Sequence, residues 1–320
     1  MSTATQPKEK APPARSQGTP EVPPARPRGN GADPYLGEIP PELAALDGDL
    51  EEEKRDLPTL AEVGRVLPLG FADQNQDLHR DFELVPWNWD LEEELGQLAE
   101  ENPEMVMPIY VSEVIGMGVA RLGKLEVSKM KRSHRRLLVR SLYFTDALYL
   151  YVWIRIGALG HNLKLKPFKC GSCRRLIEDY VGDLRTLEVR TFDSIPSRRV
   201  ELEHGVEYAS KRLKVFHVGP IRWSFMESEE AVLKNPAKLR LHTLQQGVTK
   251  LEGAPEGPVY LTPDHLRTMQ PREVNRLVQE VDQCNGGLVM EVRDRCPRCR
   301  APFAEPINWS HDEFFAPSSH

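Results

Sequence analysis

The chain has no long uninterrupted apolar run. Its most apolar stretch, LYFTDALYLYVWIRIG at 142–157, is broken by Asp146 and Arg155 and falls short of the ~20 residues that span a bilayer. It is expected to be a core helix. The N-terminus likewise has no apolar block of the kind a secretory peptide requires. Both absences lead to the expectation of a soluble cytoplasmic protein without membrane insertion. Cysteine is scarce, with five in 320 residues and four of them in CxxC pairs, which argues against an oxidised disulfide scaffold. Positive charge is in deficit, 42 basic against 48 acidic residues for a net charge of −6. That balance removes any general electrostatic drive toward nucleic acid and leaves only local basic faces to consider. The patterns GxxxxGK[ST], GxSxG and HExxH are also missing, so no phosphate-binding loop, hydrolase elbow or metalloprotease helix is expected.

Proline, by contrast, is concentrated at one end. Ten of the 27 prolines fall within residues 1–41, in a stretch too poor in apolar side chains to offset the entropy of ordering the backbone. Residues 1–54 are therefore expected to be a disordered arm leading through the acidic DGDLEEEKRD into the fold. Residues 55–160 are expected to be mainly helical, residues 161–315 to form a zinc-ribbon region with an inserted α/β subdomain, and residues 316–320 to be a flexible tail. The expected class is α+β with a small antiparallel sheet.

Within the helical region, Phe82 and Leu84, with Trp87 beyond them, suit a strand, and Asp90 is a candidate helix cap ahead of Leu91, Leu95 and Leu98. Val111, Val114, Ile115 and Val119 recur at helical spacing. The GMG at 116–118 has no following phosphate-binding lysine and suggests close packing or a helix irregularity. KMKRSHRR at 129–136 reads as the solvated start of a helix, with a partner-binding patch as the sharper reading. Arg136 to Ile156 reads as one helix packed on most sides, with Arg155 neutralised by an acidic partner or reaching solvent over its stem. Gly157 and Gly160 stop it. The glutamates 92–94, 100 and 101 make a charged helix face rather than a catalytic carboxylate pair.

Beyond Gly160, Leu163 and Leu165 alternate as in a strand, and short strands follow with turns expected at Gly182, Gly205 and Gly219. Thr262 with Pro263 marks a helix start. Val274, Leu277, Val278 and Val281 form a stripe that Asn285, Gly286 and Gly287 end.

The CGSC at 170–173 and CPRC at 296–299 each follow a strand-like segment. Thiolates two residues apart can grip one metal ion from one turn, so Cys170, Cys173, Cys296 and Cys299 are the candidate ligands of one shared structural Zn2+. The 122 residues between Cys173 and Cys296 would then be tied off as an insertion. Redox-active CxxC pairs, an iron–sulfur centre, unliganded cysteines, or zinc completed by His161 or His311 stand as alternatives. Cys284 is expected to be a small buried side chain. Four thiolates fill a tetrahedral site, so the metal is expected to be mechanical rather than catalytic.

Four pieces of the chain resemble the T4-type baseplate hub assembly proteins of bacteriophages and their relatives in phage-like contractile injection systems. They are DFELVPWNWDLEEELGQL at 81–98, SLYFTDALYLYVWIRIGALG at 141–160, FKCGSC at 168–173 and CPRCRAPFAEPINWSHDEFF at 296–315. Asp146, Arg155, Gly160 and the four CxxC cysteines occupy the family's places, as do Trp309, Phe314 and Phe315 in its polar-aromatic ending. The resemblance implies a non-enzymatic assembly or scaffold protein whose partners are baseplate, hub or spike proteins. The resemblance further implies action in the cytoplasm during assembly, with release from the particle or retention in it, and makes Trp309, Phe314 and Phe315 candidate partner anchors. A zinc-ribbon adaptor for nucleic acid is the competing class, and it needs a coherent basic surface joining KMKRSHRR to Arg174, Arg175, Arg298 and Arg300. An enzyme is the third class and needs a pocket with convergent acid, base or nucleophile.

Overall fold

The computed structural model describes residues 57–72, 77–227, 235–255, 257–309 and 314–315. The expected arm at 1–54 and tail at 316–320 lie outside these residues. A capping box opens the described chain: the Thr59 hydroxyl accepts the Glu62 N–H at 3.4 Å and Glu62 Oε2 accepts the Thr59 N–H at 2.7 Å, starting α1 (Leu60–Val63). β1 (Val66–Ala72) and β2 (Leu78–Leu84) follow as an antiparallel pair. α2 (Trp89–Glu101) is capped by Asn88, whose Oδ1 accepts the Leu91 N–H at 3.1 Å. The expected cap, Asp90, lies in the first turn instead, where a negative charge suits the positive end of the helix.

α3 (Met107–Gly118) does not run on through Val119 as its spacing suggests. Val119 opens β3 (Val119–Leu122), which pairs with β2 to complete a sheet of order β1-β2-β3. The sheet partner, remote in sequence, outweighs the local helical period. The stretch read as one helix from Arg136 to Ile156 is two, α4 (Arg132–Ser141) and α5 (Phe144–Leu159). The break between them frees backbone groups, and residues 221–223 take them up. The Phe144 N–H donates to the Ile221 carbonyl at 3.0 Å, and the Trp223 N–H to the Leu142 carbonyl at 2.8 Å. Gly118 shows why small residues precede β3, since a Cβ there would lie 2.7 Å from the Ile154 side chain on α5.

Short strands then bring the chain toward the cysteines. β4 (Asn162–Lys164) pairs with β7 (Val181–Asp183), and β5 (Phe168–Lys169) with β6 (Leu176–Ile177). β8 (Val189–Arg190) precedes the long hairpin of β9 (Arg198–Tyr208) and β10 (Lys211–Val218). This hairpin turns at Ala209–Ser210, both at positive φ, and not at Gly205. Gly205 is a bulge inside β9, where a Cβ would meet the Leu213 carbonyl oxygen at 2.1 Å.

α6 (Pro236–Gly247), overlooked in the sequence, starts at Asn235, whose side chain accepts the Ala237 and Lys238 N–H groups. It leads into β11 (Val248–Leu251), which joins the hairpin in the order β11-β10-β9. α7 (Pro263–Arg267) and α8 (Pro271–Asn285) begin and end as expected, the first at the Thr262 cap and the second before Gly286 at φ 56°. β12 (Gly287–Leu288) pairs with β8, and β13 (Glu291–Arg295) with β14 (Pro302–Pro306). The architecture is mixed helix and sheet with small antiparallel sheets.

Two apolar cores result. The insertion from β9 to α8 packs Phe216, Leu244, Leu277 and Val281 around itself. Everything else shares one core, in which α5 contacts β1 and the C-terminal aromatics and to which the cysteine turns also belong. The helical region and the cysteine region are thus not separate bodies; residues 56–320 form one unit. Fully burying an aliphatic side chain contributes roughly 1.5–3 kcal/mol, and α5 is apolar on every side, with Tyr149, Leu150, Tyr151 and Val152 all buried.

Asp146 is buried in the first turn of α5, where it accepts the Leu69 and Gly70 N–H groups at 2.9 Å each. Burial pushes its carboxyl up to about 7, against the pull of those two N–H groups and of Arg80. The native state therefore holds a proton that the unfolded chain releases near pH 3.8, so this group's contribution to stability is greatest at low pH and declines as pH rises toward about 7. Urea unfolding at fixed metal concentration is expected to show that decline, and Asp146→Asn to remove it. An unchanged slope in the variant contradicts the assignment.

Candidate metal centre

The two CxxC turns are built alike. Each sits between two antiparallel strands, β5–β6 for the first and β13–β14 for the second. In the first, the Cys170 N–H donates to the Arg175 carbonyl at 3.1 Å and the Arg174 N–H returns to the Cys170 carbonyl at 2.9 Å. In the second, the Cys296 N–H reaches the Ala301 carbonyl at 2.8 Å and the Arg300 N–H the Cys296 carbonyl at 2.9 Å. The residue after the second cysteine is left-handed in both, Arg174 at φ 56° and Arg300 at φ 63°. That conformation curls the backbone so that its N–H groups point at sulfur. The shared CxxCR pattern was visible in the sequence, but only the geometry shows that its arginine is a backbone feature.

These turns bring the four sulfurs to one place. All lie within 4.8 Å of one another, with Cys170 Sγ 3.7 Å from Cys299 Sγ and Cys173 Sγ 4.0 Å from Cys296 Sγ. A tetrahedral ion with ~2.3 Å bonds to sulfur sets its ligands roughly 3.8 Å apart. The separations match such an ion and are far too long for disulfides; all five cysteines are free. Cys170 and Cys296, the first of each pair, are buried, while Cys173 is half-buried and Cys299 exposed.

The four sulfurs differ in their electrostatics. The Cys173 and Ser172 N–H groups lower the Cys170 thiol to about 6. The Cys299 and Arg298 N–H groups lower Cys296 in the same way. Cys299 receives the Ala301 N–H, yet desolvation and the neighbouring Cys170, Cys296 and Cys173 thiols outweigh it and push it up to about 11. Four thiolates in one space repel each other, and a bound cation reverses that penalty.

Packing joins the halves independently of any metal. Phe303 on β14 packs tilted against Phe168 at 5.0 Å and edge-to-face against Tyr180 at 5.1 Å. The Tyr180 hydroxyl donates to Asp294, and Gly182 leaves room for Val292, which a Cβ would meet at 2.9 Å.

Arg155 ties the centre to the C-terminus. It is 1% exposed and has neither the acidic partner nor the path to solvent expected from the sequence. Its guanidinium instead donates to three backbone carbonyls, Phe314 at 2.8 Å, Gly160 at 2.5 Å and Asn162 at 3.0 Å. Phe314, expected as a partner anchor, is buried at 2% and stacks on Tyr151 at 5.2 Å. Its side chain belongs to the core, because the Arg155 contact pulls its backbone inward. Phe315 and Trp309 are half-buried, Phe315 between Trp87 and Tyr151, Trp309 beside Phe144 and Trp223. Cys284 is buried in the insertion with Sγ 3.8 Å from the Val218 carbonyl, apart from the cluster. His161 lies 3.4 Å from Asp183 and is not in the cluster, and His311 lies outside the described residues.

Fold and site together define a mixed α/β protein whose mid-chain and C-terminal cysteines form a four-thiol cluster suited to a metal ion. Comparison with protein-family models, curated proteins and solved structures gives no match.

Cys296→Ser is expected to abolish stoichiometric metal binding and to cost several kcal/mol of stability, since metal binding and folding are coupled in such sites. Cys284→Ser should leave metal content unchanged. Elemental analysis and proteolysis of both variants check this, and normal metal content in Cys296→Ser rules out a shared site.

Proposed function

We propose that this chain is a non-enzymatic assembly or scaffold protein for the baseplate hub or spike region of a contractile phage tail or phage-like injection system, held together by zinc. The observation that carries this reading is the convergence, in one core, of the residues that bear the family resemblance. Asp146 binds β1, Arg155 binds Gly160 and the Phe314 backbone, and the cysteine turns close beside them. Positions scattered over 170 residues form one connected framework, as expected if the resemblance reflects a common fold. Zinc is the ion favoured by four thiolates in a tetrahedron, and iron is the alternative that the same donors accept. With every coordination position filled by sulfur, the ion stabilises the structure and has no site for substrate.

The reading of the chain as a nucleic-acid adaptor draws on Arg174, Arg175, Arg298 and Arg300, all exposed beside the cysteines. Four thiolates and one divalent ion carry a net charge of −2, and these arginines offset it locally. Their field is therefore partly spent within the protein, which weakens the adaptor reading. Among the described residues no helix is long and apolar enough to cross a membrane, in keeping with assembly in the cytoplasm.

Affinity purification from cells expressing the complete surrounding gene cluster, with mass spectrometry and metal analysis of the same sample, tests the proposal. Recovery of baseplate, hub or spike proteins with stoichiometric, colourless zinc supports it. Recovery of nucleic acid without particle proteins overturns the assembly role, and a coloured iron centre overturns the metal assignment.

A further inference from the structure

The basic stretch on α4 is held from beneath by two buried carboxylates. Glu113 on α3 is 5% exposed and takes Arg132 in a fork, Nε to Oε2 at 3.0 Å and a terminal nitrogen to Oε1 at 3.2 Å. The Glu227 side chain is 4% exposed and lies 3.1 Å from Arg140 and 3.7 Å from Arg136. Glu227 is itself anchored, accepting the Ser112 hydroxyl at 2.7 Å, while that hydroxyl oxygen accepts the indole N–H of Trp223 at 2.7 Å. Arg135 donates to the Gly116 carbonyl. Four arginines thus stand over two carboxylates, and the Nε atoms of Arg135 and Arg136 are buried without a hydrogen-bond partner. Along α4 the four arginines outnumber the two carboxylates beneath them, while Glu94, Glu101 and Glu104 keep the α2 side acidic; the guanidiniums are already ordered. Preorganised side chains of this kind lose little further entropy when they bind.

The face has a shape to match. Arg132, Ser133, Arg136, Leu137 and Arg140 line a concavity of about 560 Å3. It runs into a second of about 530 Å3 that includes Met105 and Ile109, the two sharing Glu113, Arg132 and Arg136. Leu137 stands 60% exposed between the arginines. Positions 132, 136 and 140 are one turn apart on one side of the helix. The complementary ligand carries carboxylates about one helical turn apart and an apolar side chain between them. Glu101 and Glu104 line the second concavity and bar an anionic ligand from it, so the ligand lies over α4 itself, where the exposed Leu137 favours a protein over a nucleic-acid backbone, which gains nothing from an apolar contact.

We infer that the α4 face is a docking surface for an acidic amphipathic helix of a partner protein, with Arg132, Arg136 and Arg140 receiving carboxylates and Leu137 an apolar anchor. This deepens the scaffold reading and rests on it only for the partner being a protein. The variants Ser133→Glu and Leu137→Asp alter exposed positions and leave the pairs with Glu113 and Glu227 in place. The full-length chain is titrated with a labelled synthetic helix bearing Glu at every fourth residue and Leu beside each Glu, with the same helix carrying Lys for Glu, and with duplex DNA and single-stranded RNA. Binding of the acidic helix is expected to weaken with added salt and to fall about tenfold or more in either variant, with thermal unfolding unchanged. No preference for the acidic helix over the Lys helix, unchanged binding by both variants, or tighter binding of DNA or RNA overturns the inference. Hub co-purification with failed helix binding sinks this inference alone; helix binding without hub components sinks the assembly reading alone.

Discussion

Burying a helix that carries both a carboxylate and a guanidinium is the constraint on which the rest of this structure depends. Neither group of α5 pairs with the other. Asp146 at its start is met by the N–H groups of Leu69 and Gly70 on β1, and Arg155 near its end by the carbonyls of Gly160, Asn162 and Phe314. A buried charge without such partners costs several kcal/mol, so the fold is stable only when these backbone segments arrive together. One end of α5 therefore fixes the N-terminal sheet, and the other fixes β4 and Phe314.

The metal centre builds on that arrangement. With β4 and the C-terminal aromatics held at the end of α5, β5–β6 and β13–β14 present two like turns to each other. Aromatic packing of Phe168, Tyr180 and Phe303 brings the turns close and leaves the four sulfurs within 4.8 Å of one another, a spacing compatible with a metal ion. The insertion between them has a core of its own, so closing the chain at the cysteines does not require the insertion to pack against them. It meets the rest where residues 221–223 cap the break between α4 and α5. The same segment leads through Trp223 and Ser112 to Glu227 and so to the arginines of α4. A core hydrogen-bond chain thereby sets the geometry of a charged surface.

The organisation of the protein separates closed, buried features from exposed charge. Its metal-type site is closed, its buried charges are satisfied by backbone, and its ordered arginines face outward. The two half-buried C-terminal aromatics, Trp309 and Phe315, pack against the main core.

The sequence by itself determined features that depend on a few adjacent residues. The four clustered cysteines follow from the paired CxxC spacing, the end of α5 from Gly160, the start of α7 from Thr262 and Pro263, and the end of α8 from Gly286. Asn235 with Pro236 carried an equally local signal for α6 that went unread. Tertiary structure alone decided where α4 gives way to α5, why Val119 is a strand residue, why Gly205 is a bulge, what Arg155 binds and why Phe314 is inside. Each of these outcomes depends on a hydrogen-bond partner or a packing neighbour far away in the chain. Local periodicity records which residues prefer to be buried, but it carries no information about which distant backbone group will meet them there.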